Sequence, residues 1–188
     1  LRAEAVVHRD IKPSNTIMGA PPRLIDLSVA LTEDEAAGLR APVGTDDHMA
    51  PEQCDPRALG PVGPAADAWG LGVTLYRAAT GALPFERSTE ADGDGDRWPQ
   101  LHGEPRWPEA LPDPLASLIV ACLERDPARR PGPADLHAAL GPIPAGAPRR
   151  ASGSSEHDRT APAWTGNRPW PPTPRRARRG RARTRDPA

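Results

Sequence analysis

The chain has 188 residues, a mass of 20.0 kDa and a formal net charge of −1, which is enough for one domain or half of a larger one. Only Cys54 and Cys122 could cross-link and they lack CxxC spacing, which excludes a disulfide scaffold. No apolar run approaches the roughly 18 residues of a membrane span, and no signal peptide is recognisable, so a reduced, cytoplasmic chain is expected.

The charge balance conceals a division. Residues 1–140 carry 13 basic and 22 acidic side chains, whereas residues 141–188 carry 11 and 3. Leu, Ile, Val and Phe number 28 in the first part and one, Ile143, in the second. A domain over 1–140 and a disordered Pro/Arg-rich tail over 141–188 are therefore expected.

The first thirty residues read as short strands between turns. Val6-Val7, Thr16-Ile17-Met18 and Arg23-Leu24-Ile25 are too short for helices, and Pro or Asn clusters bound them. Residues 31–64 show no sustained period and contain Gly44, Pro51, Pro56, Gly60, Pro61 and Pro64. They read as a long loop with at most a helical turn near 51–54, and a loop of that length is usually functional or disordered. From Ala65 to Thr80, Trp69, Leu71, Val73, Leu75 and Tyr76 cover every face, which predicts a helix buried all round and capped by Gly81. Gly70 and Gly72 each cost that helix roughly 1 kcal/mol in propensity, so packing must hold it. Residues 86–110 read as loop. A helix follows with Asp113 as N-cap, Pro114 at its first position, and Leu115, Leu118, Ile119, Cys122 and Leu123 on one face. A last short helix is expected over residues 133–140. The expected class is thus mainly α with a few short β-strands.

The most informative segment is His8-Arg9-Asp10-Ile11-Lys12-Pro13-Ser14-Asn15. In a tight loop after a strand, a carboxylate, a lysine two residues on and an amide five residues on can converge. Asp10 could accept or orient a hydroxyl proton, Lys12 could neutralise a phosphate oxygen, and Asn15 could ligate a hard cation. Asp26, ending the next short strand, is a natural second oxygen ligand for Mg²⁺. Such a set suits phosphoryl transfer, which depends on positioning and charge neutralisation. The plainer readings are turn-forming roles for Asp10, Asn15 and Asp26.

The octet resembles the catalytic loop of the eukaryotic-type (bacterial Hanks-type) Ser/Thr protein kinases, His-Arg-Asp-x-x-x-x-Asn. Further motifs follow in order: Asp26-Leu27-Ser28 at the Asp-Phe-Gly position, Gly44-Thr45, Met49-Ala50-Pro51-Glu52, the buried helix with Asp67 and Trp69, and Arg125-Asp126-Pro127 through Arg130-Pro131. The likeness covers residues 6–140. It implies a protein-kinase-like fold, large (C-terminal) lobe only, and transfer of the ATP γ-phosphoryl to protein Ser or Thr hydroxyls with Mg²⁺. By resemblance, Asp10 is the catalytic carboxylate and Lys12 contacts phosphate; Lys12 is the only Lys in the sequence, and the tyrosine-kinase loop lacks it. Asn15 and Asp26 resemble the Mg²⁺ ligands, Glu52 and Arg130 an ion pair, and Asp67 the carboxylate that caps the catalytic-loop backbone.

The sequence also departs from the family pattern. Leu27 and Ser28 replace Phe and Gly, His48 stands where Tyr is usual, and Asp46 where Pro is common. Ser resists the positive φ that Gly allows. No Gly-rich phosphate loop, strand lysine or partner Glu is found, so the N-lobe is expected to be missing and the chain alone inactive. The alternative is a catalytically inactive kinase lobe serving as a binding or regulatory module. Asp92, Asp94 and Asp96 imitate an EF-hand start, but Arg97 takes the place of its Gly, and the His residues show no zinc spacing. The Arg-rich tail suggests contact with a polyanion, nucleic acid or acidic membrane, or a juxtamembrane linker of a tethered parent.

Overall fold

The computed structural model describes residues 5–85, 97–107, 111 and 113–141. Apart from Gly141, the tail expected over 141–188 lies outside the described residues, as does the acidic run Asp92, Asp94 and Asp96. Strands β1 (Val6–Val7), β2 (Thr16–Ile17), β3 (Arg23–Leu24) and β4 (Leu31–Thr32) form two antiparallel ladders. One pairs β1 with β4 through Val6–Thr32 and Val7–Leu31; the other pairs β2 with β3 through Thr16–Leu24 and Ile17–Arg23. Helices α1 (Glu33–Ala37), α2 (Pro51–Cys54), α3 (Ala65–Thr80), α4 (Asp113–Cys122) and α5 (Pro133–Leu140) supply most of the remaining regular structure. The mainly helical reading with short strands therefore holds for the described residues. No helix among them is long and apolar enough to cross a membrane.

Helix α3 is the axis of the core. Trp69, Val73 and Tyr76 fall on one stripe and are buried with Val62, Ala66, Phe85, Ile119 and Leu123. Trp69 lies parallel to Phe85 with ring centroids 5.6 Å apart, and Tyr76 meets the edge of Trp107 at 6.3 Å. These arrangements suit the aromatic quadrupoles. The two helical glycines have their reason in packing. A Cβ on Gly72 would lie 2.6 Å from Cys122 Cβ of α4, and one on Gly70 would lie 3.0 Å from the Ile11 carbonyl. Close approach to α4 and to the loop after β1 offsets the lost propensity. Gly81 ends the helix at φ 77, its N–H bonded to the Arg77 carbonyl at 2.8 Å. Burial is not all round, however. Residues 77–79, an Arg and two Ala with no large apolar side chain to bury, are exposed.

Two further expectations need correction. Residues 31–64 are not a plain loop: Leu31 and Thr32 pair with β1, and α1 follows. Thr32 Oγ1 accepts from Glu35 N at 3.3 Å while Glu35 Oε2 accepts from Thr32 N at 3.0 Å. That reciprocal capping box stabilises a helix too short to show a period. In α4, Asp113 is the first helical residue instead of the cap, and the helix ends at Cys122. Leu123 still packs fully buried in the core beyond it.

Candidate functional site

The loop after β1 is held from beneath by α3. Asp67 Oδ2 accepts from His8 N at 2.9 Å and Oδ1 from Arg9 N at 2.8 Å. The N-cap position of α3 is Pro64, so Asp67 caps a distant loop and not its own helix. Burial pushes the Asp67 carboxyl up, against the pull of those two N–H donors. With its backbone so fixed, Arg9 adopts φ 66 and turns the chain sharply ahead of Asp10.

Three of the sequence-selected residues converge. Asp10 Oδ2 lies 2.7 Å from Lys12 Nζ and accepts from Asn15 Nδ2 at 3.0 Å. The same Asn15 amide donates to the Asp10 carbonyl at 2.9 Å. A fourth member, Thr45, comes from 35 residues away: its Oγ1 donates to Asp10 Oδ1 at 2.6 Å and accepts from Lys12 Nζ at 2.6 Å. Burial raises the Asp10 carboxyl, but the hydrogen bonds from Lys12 and Thr45, the Lys12 charge and the Asn15 bond together hold it below the usual carboxylate range. It is therefore a carboxylate at neutral pH.

Thr45 is the residue that sequence reasoning missed. The pair Gly44-Thr45 by itself assigns it no role, and the available signal is its neighbour. Gly44 has φ 143, and a Cβ there would meet Met49 Cγ at 2.9 Å and the Arg9 carbonyl at 3.1 Å. Only glycine lets this segment approach the loop so closely. Gln53 completes the tie, donating to the Arg9 carbonyl at 2.8 Å and the Val43 carbonyl at 3.2 Å.

Asp26 stands apart from this cluster as an exposed carboxylate at φ 64. The strand pair brings it to the loop, since Ile25 N donates to the Asn15 carbonyl at 2.9 Å and His8 Nε2 meets the Ile25 carbonyl at 3.2 Å. Its Oδ1 accepts from Ser28 N at 3.2 Å, and the bonds from Ser28 lower its pKa. The turn-forming role is thus present. The positive φ falls on Asp26, where an Asp tolerates it, and Ser28 carries no such strain. Glu52 and Arg130 do pair: Arg130 Nη1 and Nη2 reach the two carboxylate oxygens at 2.7 and 2.9 Å, with both side chains buried.

His48 is buried at 6% exposure, and neither ring nitrogen has a hydrogen-bond partner. Burial and the Arg77 charge hold its pKa below 6.5, while Asp47 and Asp10 oppose them and Lys12 adds to the lowering. The fold therefore favours the neutral ring. Its contribution is fully present above the unfolded value near 6.5 and declines as pH falls from there toward the lower folded value. Over that window the denaturant midpoint of the wild type should fall more steeply than that of His48→Phe. Parallel curves would show that His48 is not the titrating group.

The sequence pattern described as the protein kinase domain matches residues 1–139. The chain is 41% identical over 143 residues to a protein of Thermomonospora curvata named probable serine/threonine-protein kinase PkwA, covering 74% of this chain and 18% of that protein. It is 36% identical over 145 residues to serine/threonine-protein kinase PkaA of Streptomyces coelicolor, covering 71% and 25%. Mitogen-activated protein kinase kinase kinase 15 of Mus musculus is 33% identical over 140 residues, covering 72% and 10%. The chain thus spans a quarter or less of the length of each of these relatives.

Proposed function

The chain belongs to the protein kinase family, and we propose that it forms the large, mainly helical lobe of a serine/threonine kinase, with the loop after β1 as its catalytic centre. One observation carries the reading. Asp10 is charged and fully positioned, yet keeps one acceptor place open. Each carboxylate oxygen offers about two lone pairs. Oδ2 receives Lys12 and Asn15, while Oδ1 receives Thr45 alone. The remaining place on Oδ1 suits the hydroxyl of a protein Ser or Thr.

In this reading Asp10 orients that hydroxyl and takes its proton as the phosphoryl group transfers. Lys12, already beside Asp10, places a compact ammonium near the transferring oxygens of ATP. Asn15 and Asp26 fit as ligands of a magnesium ion. Both Asn15 bonds to Asp10 use its Nδ2, leaving the amide oxygen for a cation, and Asp26 is an exposed carboxylate. Magnesium is usually held by one or two protein oxygens plus phosphates and water, and it neutralises the charge of the phosphates. The partners are then ATP and a Ser- or Thr-bearing protein. The two thiols, Cys54 and Cys122, are free and buried, which suits a cytoplasmic site of action. Contact of the Arg-rich tail with a polyanion belongs to the same proposal, and salt dependence of such binding is its test.

Ile17, Met18, Leu24, Ile25 and Leu27 favour the lobe assignment. They are between 40 and 85% exposed on and beside the β2–β3 ladder, a face that a small lobe would cover. The 188 residues contain no glycine-rich phosphate loop. With the triphosphate solvated, each ion pair at 4 Å is worth only about 1 kcal/mol. Magnesium-ATP at ~1 mM should accordingly leave the melting temperature of this chain unmoved. The chain joined to a kinase small lobe should show a rise that Asp26→Ala removes. An equal rise in the Asp26→Ala protein would overturn the magnesium assignment.

A further inference from the structure

Thr45 reaches Asp10 and Lys12 from a segment that is anchored on its outer side as well. Residues 97–100 supply the anchor. Arg97 Nε and Nη2 donate to Asp46 Oδ2 and Oδ1 at 2.9 and 3.1 Å, and Trp98 Nε1 donates to Asp46 Oδ1 at 3.1 Å. The Arg97 guanidinium lies 4.7 Å from the Trp98 ring centroid. Gln100, 2% exposed, donates from Nε2 to the Asp46 carbonyl at 2.7 Å and the Met49 carbonyl at 3.1 Å. The backbone then turns, with His48 N and Met49 N both donating to the Thr45 carbonyl, at 2.8 and 3.1 Å. A carboxylate that takes three donors thus adjoins, in the chain, the hydroxyl that bridges Asp10 and Lys12.

Global stability does not account for this arrangement. The Arg97 side chain is 64% exposed and that of Asp46 23%, and an ion pair so open to water contributes little to folding. Geometry does account for it. A proline at position 46 could take part in none of the side-chain contacts, whereas an aspartate there fixes the turn from outside while Gly44 and Gln53 fix it from inside.

We propose that Asp46, gripped by Arg97 and Trp98, is a positioning residue that holds the Thr45 hydroxyl between Asp10 and Lys12. This rests on the catalytic reading of the loop, but its test needs no turnover. The Asp10 carboxyl is followed by NMR through a pH titration of the 188-residue chain labelled with ¹³C at aspartate. Its resonance is identified by its loss in Asp10→Asn. Asp46→Ala should raise the Asp10 midpoint by about 0.5 pH unit or more, the scale of one lost hydrogen bond to a carboxylate. The direction is decisive, because removing a nearby negative charge would by itself lower the midpoint. Thr45→Ala should give a similar rise, and the double variant should not exceed Thr45→Ala alone. Trp98→Phe, which keeps an aromatic ring and loses one donor, should shift it less in the same sense.

An Asp10 midpoint that stays put or falls in Asp46→Ala would overturn the proposal, as would additive shifts in the double variant. If Asp46→Ala fails to fold, Trp98→Phe carries the same comparison, and an unmoved midpoint there counts against it equally. A positive titration result in a protein that never transfers phosphate, even with a small lobe joined, would sink the catalytic reading and leave the positioning intact.

Discussion

Asp10→Asn, in the chain joined to a kinase small lobe, is expected to lower the rate of phosphoryl transfer by about 10²–10⁴-fold, the usual contribution of a positioned general base. The melting temperature should change little. The replacing amide has the same shape and keeps one oxygen, which can still face Lys12 and Asn15, the two donors now on Oδ2. Its NH₂ then faces Thr45, whose hydroxyl can rotate from donating to accepting. The network survives, but the open acceptor place has become a donor directed at the incoming hydroxyl. Loss of the carboxylate charge also leaves Lys12 without its counter-ion at 2.7 Å. ATP-dependent stabilisation should persist, since Asn15 and Asp26 are untouched. Near-wild-type turnover in the purified variant would remove Asp10 from the mechanism.

Local signals made much of this architecture legible. Apolar side chains on every face located α3 at Ala65–Thr80, and Pro133–Leu140 forms the expected last helix. The spacing of Asp10, Lys12 and Asn15 was enough to predict their convergence, because a tight loop brings residues two and five apart together without help from elsewhere. What could not be read depended on distance along the chain. Thr45 belongs to the cluster only because Gly44 and Gln53 press its segment against residue 9, across 35 and 44 residues. The Asp46 anchor spans more than 50 residues, and no period or motif links its two halves. Helix α1 was missed for a different reason. Its five residues cannot display amphipathicity, and only the Thr32–Glu35 capping box marks it. Asp26 and Ser28 show a third limit: the motif located the turn, but the backbone put the positive φ two residues before the position where Gly is usual.

Arg130→Ala is expected to cost about 3–5 kcal/mol of stability, well above the ~0–1 kcal/mol of a surface ion pair. The guanidinium is at 0% exposure and saturates its surroundings. It meets Glu52 through two oxygens, donates to the carbonyls of Ala65, Glu124 and Arg125 at 2.9, 2.7 and 3.2 Å, and lies 5.0 Å from the Trp69 ring centroid. Truncation leaves a carboxylate at 2% exposure without its partner and loses the bonds to three carbonyls. Neither loss is repaired by water without opening the core around Trp69. The double variant Glu52→Leu/Arg130→Met should recover part of the loss, because it removes the buried charge together with its partner. The site should feel the single change too. Glu52 adjoins Gln53, which holds the Arg9 carbonyl, so hydrogen exchange should accelerate over residues 44–54 in Arg130→Ala before the chain unfolds globally. A denaturant midpoint equal to wild type would mean that the pair is open to solvent, and unchanged exchange over 44–54 would mean that it does not brace the loop.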